Sequence, residues 1–308
     1  MVFFMSPLEI SLIWIFSILG ILILLYLLIS FLIMFFISHP KKLSAKEAYD
    51  LDVKKGLIPE KMPEFKREEF TIKMRDGTII NADFSSNGDN KKIMILCHGY
   101  TWNRNGQLKY AQFFYKHGYA ILLFDERGHG KNRTKFTTFS YKEGKDLVDI
   151  IKYTKEKYNP LVLGLHGESL GAATVMMALK ENPEVSFAIE DCGFSNMKDV
   201  LIHKMKQFHI PIFFLPGINL FFKLITHYSI NKVLPIEGVK NSKVPLLIIH
   251  GNKDNYINVK HAYEIYEASK DHATIEIIND ADHALSYETD PTFYENICMD
   301  FIERNIKI

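Results

Sequence analysis

Residues 10–37 form 28 consecutive positions without a charge, dominated by Ile, Leu and Phe. No other stretch restricts the fold so strongly. Inside a bilayer the backbone must satisfy its own hydrogen bonds, so a single apolar run of this kind has to be helical. About 20 apolar residues cross the hydrocarbon core, and this run can do so with tilt to spare. A secretory signal has a shorter apolar region, roughly 7–15 residues, behind a basic start. Residues 1–9 contain no Lys or Arg, and no small-residue cleavage pattern follows the run. The expected element is a retained single-pass transmembrane anchor over residues 1–38. Lys41, Lys42 and Lys46 follow it, and nothing basic precedes it. The positive-inside rule then puts the C-terminal side in the cytoplasm.

Hydrophobic residues make up 47% of the 308-residue chain, enough for a large core, and the net charge is only +1. No Lys/Arg stripe marks a nucleic-acid footprint, so no nucleic-acid partner is expected. Cys97, Cys192 and Cys298 show no metal-type spacing, and an odd, sparse set argues for buried thiols over a disulfide framework.

Residues 39–65, with Pro40, Pro59 and Pro63, read as a juxtamembrane linker with a short helix near 45–55. Residues 66–308 read as one folded domain. Residues 70–74 and 79–84 alternate around Asp76-Gly77, a strong hairpin signal. Short apolar runs follow at 93–97, 120–124, 161–165, 187–189, 246–249 and 274–278, as expected for buried strands. Helical patterns separate them at 107–116, 142–157, 170–180 and 259–269, and a last one spans 293–303. A hairpin followed by repeated strand–helix units implies one α/β domain: a mostly parallel eight-stranded sheet with helices on both faces.

In such sheets the carboxyl ends of the strands carry the site. After the strand at 161–165 comes Gly167-Glu168-Ser169-Leu170-Gly171, and then a helix. This is G-x-S-x-G in a strand–turn–helix setting, the geometry that lifts a serine hydroxyl above a sheet. Gly167 and Gly171 suit a turn too tight for side chains, and Glu168 is the remaining elbow residue. A serine hydroxyl needs a base to become a nucleophile, and in this setting the partners follow in the order Ser, Asp/Glu, His. Asp254 ends the strand at 246–249. His283 is the histidine beyond the last strand. Ser169 is therefore the expected nucleophile, His283 the general base and Asp254 the carboxylate that orients it. Asp280 and Asp282 are rival carboxylates on the histidine's own loop. His98 and His250, each before a glycine at a strand end, read as packed turn residues. A tetrahedral intermediate needs two backbone donors. One is the N–H of Leu170, and the other is expected from the loop His98-Gly99-Tyr100.

These motifs together, with Asp125-Glu126-Arg127-Gly128-His129-Gly130, resemble the α/β-hydrolase superfamily from about residue 66 to 304. Within it the chain is similar to bacterial membrane-anchored hydrolases of the serine aminopeptidase/monoglyceride-lipase-like group. The resemblance implies that Tyr100 N–H is the second oxyanion donor and that residues 125–130 shape the scaffold. It also implies that the long segment at 197–238, which carries two apolar clusters, is a helical cap insertion. Tyr100 after Gly99 departs from the H-G-G-G loop of hormone-sensitive-type lipases. The expected activity is a serine esterase acting on a hydrophobic small-molecule ester through an acyl-Ser169 intermediate. No metal or cofactor is expected. A peptidase or amidase with the same triad is the alternative, and a membrane-bound binding protein with a decayed site is the alternative from another class.

Overall fold

The computed structural model describes residues 5–60 and 66–306. The end of the expected linker, residues 61–65, lies outside the described residues. The chain divides into two compact units. One takes the N-terminal residues up to Ile37 together with Leu201–Ile230, and the other takes Ser38–Val200 and Asn231–Ile308.

α1 runs from Pro7 to Ser38, and all but its last residue belongs to the first unit. It starts in a reciprocal cap: Glu9 N–H donates to Ser6 Oγ, and Ser6 N–H donates to the Glu9 carboxylate. That pairing satisfies donors that the first turn leaves open. Among the described residues, α1 is the one helix long and apolar enough to cross a membrane. Its side chains are exposed through residue 25, with Gly20 alone partly covered. Beyond that, Tyr26, Leu27, Ser30, Phe31, Ile33, Met34 and Ile37 form a covered stripe at helical spacing. In the same unit a 3-10 turn, Ile212–Phe214, leads into an apolar helix, Leu215–Thr226.

The second unit is built on the expected sheet. Its strands are β1 Glu68–Lys73, β2 Ile79–Ser85, β3 Lys92–Cys97, β4 Ala120–Phe124, β5 Val162–Glu168, β6 Phe187–Asp191, β7 Leu246–Gly251 and β8 Ala273–Ile278. They lie in the order β1-β2-β4-β3-β5-β6-β7-β8. β1 and β2 pair antiparallel, β2 is antiparallel to β4, and the remaining pairs are parallel. The hairpin turns at Gly77, whose φ of 83° suits a residue without Cβ. The chain steps outward from β3 to β4, then returns past β3 to β5. That reversal opens a crevice beyond the carboxyl ends of β3 and β5, where an α/β sheet binds ligands.

The remaining helices in chain order are α2 Ala45–Lys54, α3 Leu108–Lys116, α4 Tyr141–Tyr158, α5 Leu170–Leu179, α6 Met197–Gln207, α7 Leu215–Thr226, α8 Pro235–Lys240, α9 Lys260–Ser269, α10 Ser286–Thr289 and α11 Pro291–Asn305. The long connection between β6 and β7 is thus helical, as expected. Strand residues alternate between two cores. Ile93, Ile95 and Cys97 join Leu147, Val175, Val239 and Ala262 on one face. Met94 and Leu96 join Leu108, Phe113, Tyr294 and Phe301 on the other. Residues 45–54 are an ordered helix closed by a Ser44–Glu47 capping box, and Tyr49, Val53 and Leu57 pack on the second core.

α8 approaches α5 through Gly238, where an added Cβ would lie 1.8 Å from the Met176 carbonyl oxygen. Backbone cannot yield as a flexible side chain does. Gly238→Ala is expected to lower stability by about 1–3 kcal/mol, the usual cost of overpacking. A fall in urea midpoint at unchanged slope checks it.

Candidate active site

β5 ends at Glu168 and α5 begins at Leu170, so Ser169 alone makes the turn, with φ 55° and ψ −111°. A non-glycine residue there carries about 1–3 kcal/mol of strain. Its surroundings hold it. Ser169 N–H donates to Asp191 O at 2.8 Å, and its carbonyl accepts Ala173 N–H at 3.1 Å. A Cβ on Gly171 would lie 2.1 Å from Cys97 O, and one on Gly167 would lie 2.3 Å from Gly171 O. Both glycines are therefore required by backbone touching backbone.

The structure brings Ser169, His283 and Asp254 together. Ser169 Oγ lies 2.9 Å from His283 Nε2. His283 Nδ1 lies 2.7 Å from Asp254 Oδ2. Ser169 is 7% exposed, the His283 side chain 19% and the Asp254 side chain 0%. The chain of hydrogen bonds thus runs from a buried carboxylate to a reachable hydroxyl. Such a chain can pass the hydroxyl proton to the imidazole while the carboxylate stabilises the resulting cation.

Asp254 is held from four directions. Its Oδ1 accepts Tyr256 N–H and Ile257 N–H, each at 2.8 Å. Its Oδ2 also faces His250 Nε2 at 3.3 Å. Burial pushes this carboxyl up, but hydrogen bonds from His250 and His283 outweigh it, and the group sits well below the usual carboxylate range. His250 is buried, with Nε2 donating to Ile257 O at 2.9 Å. It props the Asp254 loop, in keeping with a packed turn residue. The rivals are occupied elsewhere. Asp280 pairs with Lys253 at 2.5 Å. Asp282 accepts the backbone N–H of His283 at 2.8 Å and that of Asn255 at 3.2 Å.

The loop after β3 flanks the serine: a Cβ on Gly99 would lie 3.6 Å from Ser169 Cβ. His98 is fully buried, its Nδ1 donating to Gly99 O at 2.8 Å and its Nε2 accepting Glu126 N–H at 2.9 Å. It is a neutral brace between two loops. Tyr100 sets its ring against His129 at 5.8 Å, and burial pushes its phenol up to about 12. Leu170 contributes the first amide of α5, one of those the helix leaves without an internal acceptor. Residues 125–130 form a scaffold turn. Asp125 Oδ2 takes Arg104 Nη1 at 2.7 Å, Arg127 pairs with Asp146 at 2.5 Å, and Gly130 turns at φ 49° against the Asp125 carboxylate.

Two features escaped the sequence reading. Tyr256 stacks on the His283 ring at 4.8 Å; an aromatic two residues past the carboxylate was the available signal. Beneath the elbow, Glu168 is buried and pairs with Lys109 Nζ at 2.7 Å. Tyr110 OH donates to Glu168 at 2.6 Å and lies 3.2 Å from Asp191, and Ser286 Oγ donates to Asp191 at 2.9 Å. Burial, aided by the Glu168 charge, pushes the Asp191 carboxyl up to about 6. The network ties the elbow to the residues just after His283. Cys192, Asp254 and His283 also offer ligand atoms within 4.8 Å of one another. Burial pushes the Cys192 thiol up strongly, which makes it a poor thiolate donor, and the other two already face each other.

Comparisons with known proteins bear on the fold. The pattern of the family described as serine aminopeptidase, S33, matches residues 88–210. An uncharacterised Bacillus subtilis protein, YqkD, is 28% identical over 249 residues, 79% of this chain and 82% of its own. An esterase of Pyrococcus furiosus is structurally similar, with a TM-score of 0.67 and 26% identity over 81% of this chain and 96% of that one. An acylaminoacyl peptidase of Pyrococcus horikoshii shares the fold, with a TM-score of 0.61 and 19% identity over 82% of this chain and 43% of that one.

Removing one partner of a buried ion pair strands the other charge, at a cost of about 3–5 kcal/mol. Lys109→Met should show such a loss in chemical denaturation, and Lys109→Met/Glu168→Gln should recover part of it. An unchanged midpoint in the single variant would contradict a structural role for the pair.

Proposed function

We propose that this chain, which has the fold of the α/β hydrolases, is a membrane-anchored serine esterase with Ser169 as nucleophile. The observation that carries the reading is the unbroken sequence of hydrogen bonds from Ser169 Oγ through His283 to Asp254. In the proposed reaction, Ser169 Oγ attacks the acyl carbon while His283 Nε2 takes its proton. Asp254 orients the ring and stabilises its charged form. The N–H groups of Leu170 and Tyr100 hold the oxyanion. His283 then protonates the departing alkoxide, leaving an acyl-Ser169 ester. Water attacks that ester, His283 takes the water's proton, and the same proton returns to Ser169 as the acid leaves. No metal or cofactor enters the steps.

Likeness to the Pyrococcus furiosus esterase supports ester cleavage. Three buried carboxylates around the elbow point the same way. Glu168, Asp191 and Asp254 are engaged by Lys109, Ser286 and two histidines, whereas trimming an amino terminus calls for an anion to receive the substrate's ammonium. The serine aminopeptidase pattern at residues 88–210 favours the second reading, a peptidase with the same triad. An apolar acyl group suits an enzyme tethered by α1 as a single-pass anchor.

Ester turnover should exceed anilide turnover by at least about 100-fold in kcat/KM, a difference of roughly 2.7 kcal/mol in barrier. Purified protein is assayed on p-nitrophenyl acyl esters and aminoacyl-p-nitroanilides. Turnover of anilides alone would replace the esterase with the peptidase. Asp254→Asn should cut kcat by about 10⁴, as the same change does in a serine protease; near-unchanged turnover would remove Asp254 from the triad. For the anchor, Lys41, Lys42 and Lys46 favour a cytoplasmic catalytic domain. Alkaline phosphatase fused to the C-terminus should then be inactive, and strong activity would reverse the orientation.

A further inference from the structure

We propose that the segment Ile212–Thr226 is a second membrane-embedded element, seated on α1 and presenting its outer face to lipid. The proposal rests on the reading of α1 as a span and adds to it a part of the chain that no sequence rule marks as membrane. The helix Leu215–Thr226 is far shorter than a span, and residues 210–222 hold only 13 uncharged positions.

An α-helix rises 1.5 Å per residue, so about 20 residues fill a 30 Å hydrocarbon core. The uncharged run covers residues 10–37. Every window of about 20 residues inside it, from 10–29 to 18–37, contains residues 18–29. Tyr26 therefore lies at hydrocarbon depth however the helix is placed along its axis. Tyr26 is also the residue that holds the second segment. Its ring stacks on Phe214 at 5.6 Å and meets Phe213 at 5.3 Å. Its hydroxyl accepts Gly217 N–H at 3.0 Å and donates to Phe213 O at 3.3 Å. Four residues on, Ser30 faces Gly217 so closely that a Cβ there would lie 2.3 Å from Ser30 Oγ. Phe31 meets Phe221 edge-on at 5.4 Å. What touches Tyr26 shares its depth.

The chemistry fits that depth. Polar backbone in hydrocarbon must find a partner within the protein, and the Tyr26 hydroxyl serves the open amide of Gly217 at the start of α7. The close approach through a glycine is the way helices pack when lipid supplies no hydrophobic drive. On the outer face, Ile212, Phe213, Leu220 and Leu224 are 41%, 61%, 46% and 62% exposed. Large aromatic and aliphatic side chains standing outward beside a bare apolar helix make a surface whose solvent is acyl chain.

Full-length protein is reconstituted in phosphatidylcholine/phosphatidylglycerol vesicles with Trp14→Phe and Trp102→Phe as background. Single reporters are placed by Phe213→Trp, by Leu220→Trp and, on α1, by Leu22→Trp. Phosphatidylcholine brominated at mid-chain is the quencher. The expected result is that both cap reporters lose at least half the fraction of emission that Leu22→Trp loses. Quenching of Leu22→Trp with neither cap reporter affected would overturn the embedded segment while leaving the span intact. No quenching of Leu22→Trp would overturn the span itself, and the proposal with it.

Discussion

The 2.7 Å contact between Asp254 Oδ2 and His283 Nδ1 is the constraint on which the rest of the site depends. It requires two loops from neighbouring strand ends to meet with almost no slack. A Cβ on Gly251 would lie 2.3 Å from Ala281 O, so the loops after β7 and β8 are in backbone contact. Lys253 N–H donates to Ala281 O, and Asn252 N–H donates to Ile278 O, each at 3.0 Å. Within that clasp the carboxylate is fully buried, and four donors keep it ionised. An imidazole held this way has one free direction, toward Ser169.

The serine is fixed by the same device on the other side. Its strained φ persists because Gly171 lies against the end of β3 and because backbone hydrogen bonds with Asp191 and Ala173 hold Ser169. Strain of about 1–3 kcal/mol is tolerable only where the surroundings over-determine the conformation. The buried Lys109–Glu168 pair and the Tyr110–Asp191–Ser286 contacts do so from beneath. The elbow and the histidine loop are thus two ends of one polar network under the sheet edge.

Much of this was legible in the sequence because it is local. Six strands show as apolar runs and two as alternating runs around a turn, and the elbow is five contiguous residues. Asp254 and His283 could be placed because strand ends, not distances, select them. Other features depend on contacts between distant positions. Tyr256 stacks on a ring 27 positions away in the chain, and Lys109 meets Glu168 across two strands. The meeting of Tyr26 with Gly217 spans 191 positions. The sequence offers a short helix near 45–55 within the linker but not its docking, which comes from Tyr49, Val53 and Leu57 packing on the core behind a capping box.

The proposed chemistry stands or falls on Ser169 as the nucleophile activated by His283. The most direct measurement is reaction of the purified, detergent-solubilised protein with a fluorophosphonate, followed by mass spectrometry of its peptides. One adduct per chain, on Ser169, is expected, with loss of labelling in His283→Ala. Labelling of a different serine, or none under conditions where the protein is folded, would contradict it.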